Sequence, residues 1–173
     1  MNDYQIKYKN INTGKHFYKF NINKSFFSLF DKSEITDAEV VANVVLDKKS
    51  HKDILNIEIS GNINNLLCDS CSSKLSLPIS SKASFLIEFT EKNKTSLDDI
   101  IYVKNNTNKL CIKEILFEMI ILSVPNKRKC AVKEDGKNNC DPEMLKLIER
   151  YSTKKKIVDD RWQELKKIKF KVT

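Results

Sequence analysis

Apolar side chains occur at every second position along much of the N-terminal half, and this alternation restricts the fold more than any other feature. Between residues 38 and 46, and again between 54 and 60, it places apolar groups on one face of an extended chain. The polar stretch 47–53 separates the two segments, so we predict a β-hairpin. Shorter alternating segments predict further strands of an antiparallel sheet at residues 4–8, 17–22, 75–79, 85–89 and 100–103.

The periodicity becomes that of a helix at about residue 108. Apolar side chains from Leu110 to Leu122 cover one broad face, and Pro125 ends the pattern, so we predict a long helix at about 110–124. The side chains expected to be buried against the sheet are Ile115, Leu116, Met119 and Ile120.

Two further helices are predicted beyond Pro125. The sequence Asp141-Pro142-Glu143 indicates a helix start, because aspartate caps free backbone N–H groups and proline suits the first turn. A last helix is predicted at about 160–168, with Trp162 and Leu165 on its apolar side.

These patterns give an α+β fold class, in which an antiparallel β-sheet packs against the long helix at about 110–124 and a basic helical tail follows. The chain has 173 residues, enough for a single domain with its own core. We expect residues 1–125 to form the α+β core. We expect residues 126–173 to form a basic loop and helical tail packed on the same domain.

The basic side chains are unevenly distributed. The net charge is +8, and residues 125–173 hold 15 basic and 8 acidic side chains, a net of +7. Such a segment suits a polyanion such as RNA, so we expect an RNA contact to run through it and not through the sheet. The alternative is a solvated surface in a lysine-biased sequence. The candidate phosphate contacts are Lys127, Arg128, Lys129, Lys133, Lys154, Lys155, Lys156, Lys166 and Lys167.

Two of the five cysteines form a Cys68-x-x-Cys71 pair at a predicted turn between strands. Two thiolates in such a turn can converge on one metal ion, and Cys130 and Cys140 would supply the other two ligands of a tetrahedral zinc site. The alternative is a set of reduced thiols without a metal, and both interpretations stay open. Cys111 falls within the predicted long helix, where we expect a small core residue.

The residues offer no arrangement typical of an enzyme. The three glycines are far apart, which excludes a P-loop and a dinucleotide-binding fingerprint. With two histidines and no evident carboxylate pair or nucleophile, we expect a protein without catalytic activity. The N-terminal residues lack the apolar core of a signal peptide, and no apolar stretch reaches the ~20 residues of a membrane span, so we expect a cytoplasmic protein without membrane contact.

Several short motifs follow one another in a specific order. They are Ser60-Gly61, Cys68-x-x-Cys71, Leu122-Ser123-Val124-Pro125, Cys130, Cys140-Asp141-Pro142-Glu143-Met144-Leu145 and, at 159–167, Asp-Asp-Arg-Trp-Gln-Glu-Leu-Lys-Lys. This order resembles the YceD-like family, the large ribosomal RNA subunit accumulation proteins. It is most similar to the Bacteroidetes-type branch, in which the Gly14-Lys15-His16 and Asn23-Lys24-Ser25-Phe26-Phe27 patterns also recur. Histidine often replaces Cys130 in that branch, an exchange that a zinc ligand tolerates.

The resemblance implies a role in the accumulation or maturation of large-subunit (23S) ribosomal RNA. We therefore expect a ribosome-biogenesis factor that contacts precursor rRNA or a large-subunit assembly particle and holds one structural zinc ion. The alternative from another class is a zinc-stabilised adaptor that binds a ribosomal protein without touching RNA. A hydrolase acting on RNA is a third class, for which the residues give no support.

Overall fold

The structure is a computed structural model, and it describes residues 4–31, 33–50, 52–90, 99–131 and 139–152. Within these ranges the chain forms seven strands and three helices. The strands are β1 (Gln5–Lys7), β2 (Gly14–Ile22), β3 (Asp37–Lys48), β4 (Asp53–Leu67), β5 (Lys74–Phe89), β6 (Ile100–Val103) and β7 (Lys109–Cys111). The helices are α1 (Lys24–Phe27), α2 (Lys113–Ser123) and α3 (Pro142–Tyr151).

Five strands form one mixed sheet in the order β2-β3-β4-β5-β6. Neighbours are antiparallel from β2 to β5, as predicted, whereas β6 runs parallel to β5, which corrects the prediction of a wholly antiparallel sheet. The predicted hairpin is confirmed, because β3 and β4 pair with Leu46 opposite Leu55 and Ala42 opposite Ile59. All four side chains are buried, so the alternating apolar residues share one face. The α+β class is therefore confirmed.

Strand β4 continues past its predicted end at residue 60 and reaches Leu67. Gly61 has a φ of +155°, and a Cβ at this position would overlap the carbonyl oxygen of Glu39 on β3. Glycine therefore lets the two strands pass closely where another residue would separate them. A bulge between Ile63 and Leu66 follows. The longer strand places the turn that contains Cys68 and Cys71 directly at its end.

The buried face of the large sheet packs against α1, α2 and a second sheet made of β1 and β7. Phe26 of α1 is buried and packs edge-on against Tyr4, with ring centroids 4.7 Å apart. The predicted burial of α2 is confirmed for Leu116, Met119 and Ile120, while Ile115 is only half-buried. The core thus lies between the large sheet and these covering elements.

The predicted long helix is wrong in length. Its first residues form β7, and α2 spans only the 11 residues Lys113–Ser123. The backbone N–H of Ile112 donates to the carbonyl oxygen of Tyr4 at 2.9 Å, and Leu110 pairs with β1. The backbone groups of this stretch therefore form hydrogen bonds between strands and not those of a helix. Cys111 points outward from β7 and is exposed, which corrects its predicted place in the core.

Helix α3 begins where predicted. Asp141 caps it by accepting the N–H of Glu143 at 2.9 Å, and Pro142 occupies its first position. None of its residues is buried against the described part of the chain. The helix predicted at 160–168 lies outside the described residues. No helix of the described residues is long and apolar enough to cross a membrane.

Candidate metal centre

The first half of the centre is the tight turn between β4 and β5. The N–H of Cys68 donates to the carbonyl oxygen of Ser73 at 2.9 Å, and the N–H of Ser72 donates back to the carbonyl oxygen of Cys68 at 2.9 Å. Ser72 has a φ of 58°, in the left-handed region that such a turn requires. The turn brings the thiols of Cys68 and Cys71 to the same side of the sheet's end.

The second half comes from the two ends of the segment between α2 and α3. Pro125 follows the end of α2, and Cys130 lies five positions further on. The N–H of Asn139 donates to the carbonyl oxygen of Ala131 at 3.1 Å, which brings the chain back beside itself. Cys140 follows immediately, next to the cap of α3. This backbone pair makes Cys130 and Cys140 neighbours although nine residues separate them in the sequence.

All four sulfur atoms lie within 4.8 Å of one another. The Sγ atoms of Cys68 and Cys140 are 3.9 Å apart, and those of Cys71 and Cys130 are 3.6 Å apart. A tetrahedral zinc ion with bonds of about 2.3 Å requires sulfur–sulfur separations of about 3.8 Å. A disulfide requires about 2.05 Å, and all four cysteines are free. The geometry therefore matches a tetrahedral thiolate site and not a pair of disulfides.

The surroundings of the four thiols divide them into two pairs. Hydrogen bonds with the hydroxyl and backbone of Ser73 lower the pKa of Cys71 to about 6, and the backbone of Ser70 lowers the pKa of Cys68. Desolvation raises the pKa of Cys130 to about 12, and it also raises the pKa of Cys140. The turn between β4 and β5 therefore supplies the thiols that ionise more readily, and a bound cation would favour the thiolate form of all four.

Arg128 joins the two halves of the centre. Its N–H donates to Oδ2 of Asp69 at 2.6 Å, and the N–H of Asp69 donates to its carbonyl oxygen at 2.8 Å. Its guanidinium donates to Oε1 of Glu34 at 2.6 Å and lies 3.8 Å from Asp69. These contacts fix the register between the cysteine turn and the segment that carries Cys130. The sequence did not reveal them, because 59 and 94 residues separate Arg128 from its two acidic partners.

The predicted RNA-contact residues are only partly within the described chain. Lys127 and Lys129 are exposed beside the four-cysteine cluster, with Arg128 between them. The guanidinium of Arg128 is already paired with two carboxylates, so it is less available to a phosphate than its neighbours are. The remaining predicted contacts, Lys133, Lys154, Lys155, Lys156, Lys166 and Lys167, lie outside the described residues.

Together these features define an α+β protein in which a sheet turn and the segment between two helices meet at a four-cysteine centre of structural type. A family model described as "Large ribosomal RNA subunit accumulation protein YceD" matches residues 55–169, a range that contains all four cysteines of the centre. The chain belongs to this family, as its motifs predict. Comparisons with curated proteins and with solved structures give no match.

Family membership connects the chain with accumulation of large-subunit ribosomal RNA, which is a role in ribosome biogenesis. The patterns at residues 14–16 and 23–27 lie before the matched range, so the assignment to the Bacteroidetes-type branch stays a prediction.

Proposed function

We propose that this protein is a non-catalytic, cytoplasmic ribosome-biogenesis factor that supports the accumulation or maturation of 23S ribosomal RNA. It acts by contacting precursor rRNA or a large-subunit assembly intermediate. The observation that carries the proposal is the family match over residues 55–169. The excess of positive charge in residues 125–173 supports an RNA contact, because lysines neutralise phosphates without requiring a particular base sequence.

One structural zinc ion, held by Cys68, Cys71, Cys130 and Cys140, is part of the proposal. Its role is to hold the segment after α2 and the start of α3 against the end of the sheet. Sulfur–sulfur distances of 3.6 and 3.9 Å support this assignment. The exposed Lys127 and Lys129 lie three positions and one position before the ligand Cys130, so the metal would also fix their position relative to the sheet.

Sedimentation of a cell extract tests the role in assembly. We expect the protein to migrate with precursors of the large subunit, and we expect mature 23S rRNA to decrease when the protein is depleted. Crosslinking within these fractions would then locate the contact. Absence from precursor particles, together with normal 23S rRNA after depletion, would contradict the proposed function. Divalent-dependent cleavage of RNA by the pure protein would contradict its non-catalytic part.

Charge substitution tests the RNA contact near the metal centre. The affinity for rRNA is measured at several salt concentrations, and the logarithm of the binding constant is plotted against the logarithm of the salt concentration. Lys127→Gln combined with Lys129→Gln should make the slope of this plot shallower by up to about 1.4–1.8 units, because each phosphate contact contributes about 0.7–0.9. Arg128 is kept, since its removal would also break the pairs with Glu34 and Asp69. The matched control is Lys52→Gln with Lys74→Gln, two exposed lysines at the sheet.

A second candidate function is a zinc-stabilised adaptor that binds a ribosomal protein without RNA contact. The observation in its favour is helix α3, which starts at the metal centre and exposes four apolar side chains: Leu145, Leu147, Ile148 and Tyr151. Ribonuclease treatment before sedimentation separates the two functions. An adaptor would stay with its protein partner after the RNA is digested, whereas the RNA-contacting factor would be released.

A further inference from the structure

Strand β2 forms one edge of the large sheet. Its nine residues, Gly14–Ile22, all pair with β3 in a continuous antiparallel register, and no described strand borders the other side of β2. Within the described residues, the backbone groups of β2 that point away from β3 form no hydrogen bond with the backbone of another segment. Such an open edge is a template on which another extended chain can pair.

Most of the features that protect an edge strand are missing from β2. Protection commonly comes from shortness, proline, a β-bulge or charged side chains. Strand β2 is nine residues long, contains no proline and pairs with β3 without a register shift. On β5, where β6 borders only residues 86–89, the edge contains Pro78, whose nitrogen carries no hydrogen. The protection of β2 therefore rests on its lysines, which repel basic chains and attract acidic ones.

Three exposed side chains follow the outer face of β2, which is turned away from the core. Lys15, Phe17 and Lys19 occupy alternate positions and so project from the same face, and Phe17 is 74% exposed. Tyr18 and Phe20 alternate with them and are half-buried against the core on the opposite face. The outer face thus presents an apolar ring between two positive charges.

The two lysines of this face form no ion pair with a described residue. Asp47 lies opposite Lys15 on β3, but its carboxylate is 3.3 Å from the ammonium of Lys49. A strand added at the open edge would place its own outer side chains beside Lys15, Phe17 and Lys19, where cross-strand pairs interact. Two acidic residues with an apolar residue between them, at alternate positions, complement this pattern.

We propose that the open edge of β2 binds an extended acidic segment of a partner protein, which joins the large sheet as a sixth strand. Backbone hydrogen bonds to β2 supply affinity, and the contacts of Lys15 and Lys19 with two carboxylates select the partner. A second copy of β2 fits less well, because an antiparallel pair centred on Phe17 would place Lys15 opposite Lys19. Single-stranded RNA would use the lysines and the ring but not the backbone groups of the edge.

The inference goes beyond the proposed function, because it concerns a protein contact on β2 that needs neither RNA nor the four-cysteine cluster. The test is an NMR titration of the full, isotope-labelled chain with a short synthetic peptide, Thr-Glu-Val-Ile-Val-Glu-Thr. Its sequence reads the same in both directions, so it matches the lysines in either orientation. A control peptide carries lysine in place of both glutamates. Two further peptides carry N-methyl groups on alternate backbone nitrogens, in one phase or in the other.

We expect the acidic peptide to shift the backbone amide signals of β2 and the lysine peptide to leave them unchanged. One methylated peptide should lose binding and the other should retain it, because alternate N–H groups of a strand point to opposite edges. Lys15→Gln with Lys19→Gln should raise the Kd of the acidic peptide about 2-fold to 30-fold. The control, Lys52→Gln with Lys74→Gln, removes two exposed lysines outside β2 and should leave the Kd unchanged. Circular dichroism verifies that each variant is folded.

An acidic peptide that leaves β2 unshifted, or that is weakened equally by both pairs of substitutions, would overturn the inference. Retained binding of both methylated peptides would also overturn it, since no strand would then form on the edge. Dimerisation of the wild-type chain with protection of β2 amides would assign the edge to a second copy instead. Oligouridylate that shifts the signals of Lys15, Phe17 and Lys19, while the acidic peptide does not, would assign the face to RNA. All of these results leave the test of the 23S rRNA role by sedimentation unaffected.

Discussion

Zinc binding should release about two to three protons per ion near neutral pH, a number that follows from the four thiol environments. Cys71, with its pKa at about 6, is already a thiolate, whereas Cys130, with its pKa at about 12, must lose a proton to bind. The raised pKa of Cys140 adds a second proton, and Cys68, whose pKa is lowered, adds at most one more. Four thiols with the usual cysteine pKa would release nearly four protons at neutral pH.

The proton count fixes the pH dependence of metal affinity. Because protons leave as the metal binds, apparent affinity rises with pH, by a factor of about 10²–10³ per pH unit above the pKa of Cys71 and below that of Cys130. Calorimetric titration of metal-free, reduced protein in buffers of different ionisation enthalpy measures the count directly. A release of nearly four protons would show that the thiols are not divided into one pair with lowered and one pair with raised pKa values.

Substitution of Ser73 tests the physical cause of the low pKa of Cys71. The hydroxyl of Ser73 is the largest contributor to the low pKa of Cys71, so Ser73→Ala should raise that pKa, increase the proton count by up to about one and weaken zinc binding near neutral pH. Ser76→Ala, which removes an exposed hydroxyl on β5 that donates to Oδ1 of Asn64 on β4, serves as the control. The same proton count in both variants would refute this explanation of the thiolate.

Three further predictions follow from burial and charge. Cys140→Ser should abolish stoichiometric zinc binding measured by mass spectrometry, whereas the exposed Cys111→Ser should retain one ion per chain. Leu116→Ala should lower the free energy of unfolding by about 2–5 kcal/mol in denaturant titrations, and the exposed Leu122→Ala should change it little. Lys109→Gln should raise the free energy of unfolding at low salt by roughly a few tenths of a kcal/mol, because it removes the repulsion with its cross-strand partner Lys7; a gain that persists at high salt would exclude this cause.

The sequence predicts the hairpin of β3 and β4 correctly because only one face of these strands is buried. Burial of one face requires an apolar residue at every second position, and this alternation is visible in the sequence. It misplaces the start of α2 for a related reason. Leu110 and Ile112 satisfy both a helical pattern and an alternating one, and the choice depends on pairing with β1, more than a hundred residues earlier. Local periodicity contains no information about that partner.

The candidate site shows the same division between local and distant signals. The Cys68-x-x-Cys71 turn is visible in the sequence, and the cap at Asp141 places Cys140 next to a helix start. The convergence of the two halves depends on Arg128, whose partners Asp69 and Glu34 are distant in the chain.

The candidate metal centre and the β1–β7 sheet are held by different contacts. The centre depends on the β4–β5 turn, on Arg128 and on the cap of α3, whereas the small sheet depends on the β1–β7 pairing and on the bond from Tyr18 to β1. These two sets share no residue. Removal of the metal by a chelator should therefore increase hydrogen exchange at residues 128–131 and 139–145 while β1 and β7 keep their protection.

RNA binding should respond to metal removal in the same selective way. The metal-free protein should lose the part of the salt dependence of rRNA affinity that Lys127 and Lys129 supply, up to about 1.4–1.8 units of slope in log affinity against log salt concentration. Chelation of the variant that lacks Lys127 and Lys129 should then change the slope no further. If chelation instead abolishes all binding and exposes β1 and β7 to exchange, the metal maintains the whole fold and does more than position Lys127 and Lys129.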